Sequence, residues 1–232
     1  MIIALNNKSN LNKEEFENYI DTLSTINTKH TLILCPTFIN IGSLNNNKLL
    51  IGSQNISSHE DGAFTGEISA KQLATYNVKY SIIGHSERRT YYNETNTEIN
   101  RKVKKAFESN IIPILCIGET KEERESGKVK EVLEKEILTA IEGLTEEEKE
   151  RMIIAYEPIW SIGTGIIPTN EEITDVLVFI KNILKNTKVL YGGSANEKNI
   201  AELNKIKLID GYLLGGISLK LDKLEEFIKI LD

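Results

Sequence analysis

The 232-residue sequence predicts an α/β fold, a closed parallel (β/α)8 barrel in a single domain spanning 1–232, with a doubly wound open sheet as the competing arrangement. Three observations predict it. Short apolar runs rich in β-formers alternate with helical periods about eight times. Most of those runs are apolar throughout, as strands covered on both faces should be. No Pro/Gly/Ser linker or change of composition divides the chain.

The strand candidates, in order, are 2–6 (IIALN), 31–36 (TLILCP), 49–54 (LLIGSQ), 80–85 (YSIIGH), 113–118 (PILCIG), 153–157 (IIAYE), 189–193 (VLYGG) and 211–216 (GYLLGG). The clearest helix lies in 127–144, where Val129, Val132, Leu133, Ile137, Ala140, Ile141 and Leu144 make one apolar stripe opposite Lys and Glu. Ile173, Val176, Leu177, Ile180, Ile183 and Leu184 repeat the pattern, as do Leu221, Leu224, Phe227, Ile228 and Leu231. Weaker periods run through 16–23, 99–107 and 200–206. The non-helical piece from Asn55 to Ile68 stands out as an insertion, and the charge runs KEERESGK and TEEEKER read as solvated helix ends or turns.

Composition narrows the function. The chain is 40% hydrophobic and 27% charged, with a net charge of -6, so it repels phosphate backbones and anionic lipids. No run is apolar enough to span a bilayer and MIIALNNKSN is no signal peptide, which points to the cytoplasm. Cys35 and Cys116 sit inside apolar runs as small buried hydrophobes, and no metal-ligand spacing appears.

In a barrel, chemistry belongs at the carboxyl ends of the strands, and polar residues collect there. Asn6 and Lys8 follow the first run, His85 ends the fourth, Glu157 ends the sixth, Ser194 follows the seventh, and Gly215 and Gly216 end the eighth. Singly, each has an ordinary reading: a structural histidine, a glycine turn, a solvated loop carboxylate. Jointly, a base, an imidazole, an ammonium and a glycine cradle for an anion suit proton abstraction next to a carbonyl in a phosphorylated substrate.

Seven motifs in order then carry a resemblance: NNKSN, GAFTGEISA, IIGHSERR, LCIGE, AYEPIWSIGTG, YGGS and DGYLLGGISL. The chain resembles the triosephosphate isomerase family nearly end to end. The resemblance implies a cytoplasmic TIM-barrel isomerase of glycolysis and gluconeogenesis that interconverts dihydroxyacetone phosphate and glyceraldehyde 3-phosphate without cofactor or metal. It makes Glu157 the base, His85 a neutral electrophile near a helix start capped by Ser86, Lys8 and Asn6 the groups that offset charge, and Glu87 a carboxylate beside Lys8. Substrate binding falls to Asn6, Lys8, Gly163, Ser194, Gly215 and Gly216, with Ile162 and Leu213 covering the base. Pro158, Ile159, Trp160, Thr164 and Gly165 form the lid, Tyr191 and Ser194 hold it closed, and Glu119 pairs with the Trp160 indole when it is open. The 55–68 loop implies a homodimer, with Thr65 near the neighbour's site.

Two departures stand out. Asn7 replaces the family's usual aromatic, which is expected to alter packing under the first loop. Ile166, Ile167 and Pro168 make the second lid hinge stiffer than usual, because branched side chains and proline restrict rotation. A binding protein that kept the site, or a Schiff-base aldolase on the same barrel, are the competing readings; the aldolase needs a lysine buried at a strand end, and Lys8 is followed by polar residues.

Overall fold

The computed structural model describes residues 1–44, 49–162 and 167–232. Its strands are β1 (Ile2–Asn6), β2 (Thr31–Cys35), β3 (Leu50–Ser53), β4 (Val78–Ile83), β5 (Ile112–Ile117), β6 (Ile153–Tyr156), β7 (Lys188–Tyr191) and β8 (Gly211–Leu214). They pair in sequence order, all parallel, and β8 returns to β1 in the register Ile2↔Gly211 and Leu5↔Leu214. The barrel is closed, which decides against the open sheet.

The described helices are α1 (Lys13–Leu23), α2 (Phe38–Ile41), α3 (Ala70–Thr75), α4 (Ser86–Tyr92), α5 (Asn96–Glu108), α6 (Lys121–Glu125), α7 (Val129–Ala140), α8 (Glu146–Arg151), α9 (Asn170–Ile183), α10 (Ile200–Leu203) and α11 (Leu221–Leu231). Many start on a capping box, in which an Asn, Ser or Thr accepts from the third helical N–H and the Glu or Gln there reaches back; Asn12 with Glu15 and Thr169 with Glu172 are two. The charge runs are themselves such helices: Thr120 and Glu123 cap α6, and Thr145 and Glu148 cap α8.

Alternation along each strand sorts the core into two layers. Ala4, Ile33, Ile82, Ile114, Cys116, Ala155, Leu190 and Leu213 fill the barrel interior. Ile3, Leu5, Leu34, Ile83, Leu115, Ile154 and Tyr212 face the helices and pack on residues such as Phe16, Val103, Leu133, Ile173 and Phe227. Cys35 and Cys116 are buried free thiols. Among the described residues, no helix is long and apolar enough to cross a membrane.

Asn7 turns inward. It is buried, and its amide donates to the Tyr19 hydroxyl at 3.4 Å and to Ser218 Oγ at 3.3 Å, so the departure from an aromatic is taken up between α1 and the short turn that follows β8. The 55–68 loop projects with Phe64 41% exposed and stacked on His59 at 4.0 Å.

Candidate active site

Parallel strands end together, so the residues that follow them share one rim of the barrel. A cavity of about 720 Å³ opens there, lined by Asn6, Lys8, His85, Glu157, Ile162, Ser194, Leu213, Gly215 and Gly216. Residues from the start, middle and end of the chain thus meet in one place.

Lys8 reaches it through a left-handed backbone, φ 51°, a costly conformation for a residue with a Cβ. Two contacts hold it there. Asn6 Oδ1 accepts the Lys8 N–H at 3.0 Å, and Gln54 Nε2 donates to the Lys8 carbonyl at 2.8 Å and to the Cys35 carbonyl at 2.9 Å. Lys8 Nζ lies 2.5 Å from Glu87 Oε1. In the sequence Gln54, a lone amide ending an apolar run, carries no sign of this task.

After β4, Gly84 takes φ +73° and the chain turns into α4. The expected cap, Ser86, is not the cap: His85 occupies that position, and its Nδ1 accepts the Glu87 N–H at 3.2 Å. A ring nitrogen that accepts carries no proton, so the neutral imidazole has its hydrogen on Nε2, facing the cavity. Ser86 instead offers its N–H to Glu157 Oε2 at 3.3 Å.

Glu157 follows β6 and precedes Pro158, which favours extended backbone at 157 and so prolongs the strand. Its N–H donates to the Ile117 carbonyl at 2.8 Å, and its carboxylate is 2% exposed. His85 Nε2 sits 3.1 Å from Glu157 Oε1. Burial works to raise the Glu157 pKa, but His85, the Ser86 N–H and Lys8 together hold it below the usual carboxylate range. Burial likewise disfavours the His85 cation, while Glu157 and Glu87 pull the other way and leave it above its ordinary value in this arrangement.

The segment expected to form the first arm of a lid is anchored. Trp160 Nε1 donates to buried Glu119 at 2.8 Å, as expected, and the Tyr156 hydroxyl bonds the same carboxylate at 3.2 Å. Arg124, from the charge run in α6, adds a contact to Glu119 at 3.3 Å and stacks over the Trp160 ring at 4.6 Å. Ile159 begins a short 3-10 turn, and the Ser161 carbonyl ending it accepts from Ser194 Oγ at 2.6 Å. Tyr191 is fully buried beside Gly193, where a Cβ would lie 2.3 Å from its hydroxyl. Gly163, Thr164, Gly165 and Ile166 lie outside the described residues; Pro168 is buried and Ile167 half-buried. Thr65 is exposed on the 55–68 loop and does not line this chain's own cavity. Among the described residues, no group of three or more His, Cys, Asp or Glu is placed to hold a metal ion.

Comparison with known proteins gives the chain its relatives. A family model described as "Triosephosphate isomerase" matches residues 1–231. Proteins of that name from three bacteria are similar to the chain. That of Mesomycoplasma hyorhinis is 44% identical over 216 residues, covering 92% of this chain and 86% of that protein. That of Clostridium tetani is 43% identical over 202 residues, covering 82% and 79%. That of Clostridium botulinum strain Langeland is 39% identical over 246 residues, covering 100% and 98%.

Proposed function

The chain belongs to the triosephosphate isomerase family, and from that premise we propose how its site interconverts dihydroxyacetone phosphate and D-glyceraldehyde 3-phosphate. The observation that carries the reading is the convergence of Glu157, His85 and Lys8 on one cavity.

Glu157 is the base that moves a proton between adjacent substrate carbons through an enediolate. In the resting arrangement it is a poor base, because the Ser86 N–H and His85 stabilise its anion. Swinging off those donors toward the substrate, under Ile162 and Leu213, removes that stabilisation and raises its basicity. Once the carboxylate leaves, its pull on the imidazole fades. His85 then acts as the neutral donor to the developing oxyanion, its Nδ1 held proton-free by the Glu87 N–H. Lys8, oriented by Glu87, and Asn6 offset the charge on the enediolate and on the phosphate.

The phosphate is held by backbone N–H groups of Ser194, Gly215 and Gly216, where the absence of side chains at the glycines permits close approach. The lid, with Gly163 closing on the phosphate, Thr164 and Gly165 at its tip and Pro158, Ile159 and Trp160 as first hinge, excludes water from an enediolate that would otherwise lose phosphate. The substrate is the triose phosphate alone; the reaction needs no cofactor. The functional unit is a homodimer joined through the 55–68 loop, which places Thr65 beside the neighbour's Asn6 and His85.

A coupled assay with glyceraldehyde 3-phosphate tests the reading. Turnover by the unmodified chain and a loss of about 10²–10⁴ in kcat for Glu157→Gln are expected. Equal and negligible rates for the two proteins would reject it.

A further inference from the structure

Arg89 on α4 and Glu136 on α7 meet behind the rim, Nη1 to Oε1 at 3.0 Å, with side chains 15% and 10% exposed. The guanidinium spends its other donors on backbone and a side chain: Nε on the Gly84 carbonyl at 2.8 Å, Nη2 on the Cys116 carbonyl at 3.1 Å, and Nη1 also on Asn96 Oδ1 at 2.5 Å. Glu136 Oε2 accepts the Gly118 N–H at 3.0 Å.

These contacts tie the end of β4 to the end of β5. Gly84 immediately precedes His85. Gly118 lies against the backbone of Glu157 so closely that a Cβ there would fall 1.7 Å from the Glu157 carbonyl oxygen, and the Glu157 N–H bonds Ile117. A movement of the β5 end is therefore passed to the base, and a movement of Arg89 to the imidazole. Neither Arg89 nor Glu136 lines the cavity.

We propose that Glu136 is a positioning residue for the isomerisation: paired with Arg89, it sets the spacing between the backbones that carry His85 and Glu157. The inference rests on the catalytic reading above. The charge matters because a carboxylate accepts from the guanidinium and from Gly118 at once. A glutamine of the same shape must turn its NH2 toward one of those two donors, so one contact becomes a clash of hydrogens. Burial pushes the Glu136 carboxyl up to about 7, against Arg89 and the Gly118 N–H and together with the facing carboxylates of Glu123 on α6 and Glu157 just after β6.

The test is steady-state kinetics of Glu136→Gln and of Arg89→Lys in the full chain, with glyceraldehyde 3-phosphate as substrate and inorganic phosphate as inhibitor. Each variant is expected to lose about tenfold or more in kcat, since small misplacements of reacting groups are costly, while KM and phosphate inhibition stay within about twofold. A folded Glu136→Gln with unchanged kcat overturns the proposal. If that variant does not fold, a folded Arg89→Lys with unchanged kcat overturns it instead. An inactive unmodified chain would reject the catalytic reading itself, a different result from an active chain indifferent to Glu136.

Discussion

His85 Nε2 lies 3.1 Å from Glu157 Oε1, and both side chains are buried, so each stabilises the other's charged form. The consequence for stability has a sign. The Glu157 pKa is depressed from 4.5, so its contribution is present above the unfolded carboxylate value and lost as pH falls through the lower folded value. The His85 pKa is raised from 6.5, so its contribution is complete below the unfolded value and lost as pH rises through the folded one. Both hold together in mildly acidic solution. Thermal melts without substrate should therefore show Glu157→Gln losing more stability at about pH 5.5 than at about pH 8.5. A gap independent of pH would mean the pair does not form.

Trp160 is the only tryptophan in the sequence, and its indole bonds Glu119 beneath the Arg124 guanidinium. In the proposed lid closure Trp160 moves as part of the first hinge, and those quenching and hydrogen-bonding partners then change. Titration with inorganic phosphate or a non-reacting triose phosphate analogue should shift the emission maximum. Trp160→Phe should cost about 1–3 kcal/mol, because it removes a donor from a buried carboxylate, and Tyr156 and Arg124 keep the loss from being larger. Emission unmoved at saturating ligand would exclude Trp160 from the motion.

The parts legible in the sequence were those with a one-dimensional signature. Strands covered on both faces are unbroken apolar runs, so all eight could be marked, and polar residues directly after them, such as Lys8, His85 and Glu157, had only the rim to go to. The helices α6 and α8 lack an apolar stripe and read only as solvated helix ends or turns; their capping boxes, Thr120 with Glu123 and Thr145 with Glu148, are the signal that marks them as helices. The cap of α4 departs from the sequence expectation for a tertiary reason. Serine is the better intrinsic cap, but Glu157, arriving from β6, takes the Ser86 N–H as the first turn's partner and His85 fills the cap. Arg89 with Glu136, and Gln54 with Lys8, join elements far apart in the chain, and nothing local announces such pairs.

The proposed dimer has a direct consequence for the 55–68 loop. Phe64 is 41% exposed, and together with Thr65 it borders a largely polar cleft shared with Arg88 and the exposed Tyr92. Sedimentation of the unmodified chain should give twice the chain mass. Phe64→Asp, which would bury a charge at the contact, should weaken association and lower activity at dilute concentration, with recovery as protein concentration rises. A fully active monomer would remove both the dimer and the role of Thr65.

Two glycines at the same rim should respond to alanine in opposite ways. At Gly118 a Cβ would collide with the Glu157 carbonyl at 1.7 Å, and that neighbour is backbone, which cannot rotate aside. Relief requires β5 and β6 to part, so Gly118→Ala should cost at least the 1–3 kcal/mol typical of overpacking, roughly speaking, and displace Glu157. At Gly216 a Cβ would meet nothing within 4 Å and the backbone is not in the left-handed region, so Gly216→Ala should leave stability within about 0.5 kcal/mol. Its added methyl faces the cavity edge where the phosphate is proposed to bind, so its effect should fall on KM. Chemical denaturation and steady-state kinetics on the two variants separate the outcomes. Equal stabilities would contradict the close packing of Gly118 on Glu157, and an unchanged KM for Gly216→Ala would place the phosphate elsewhere.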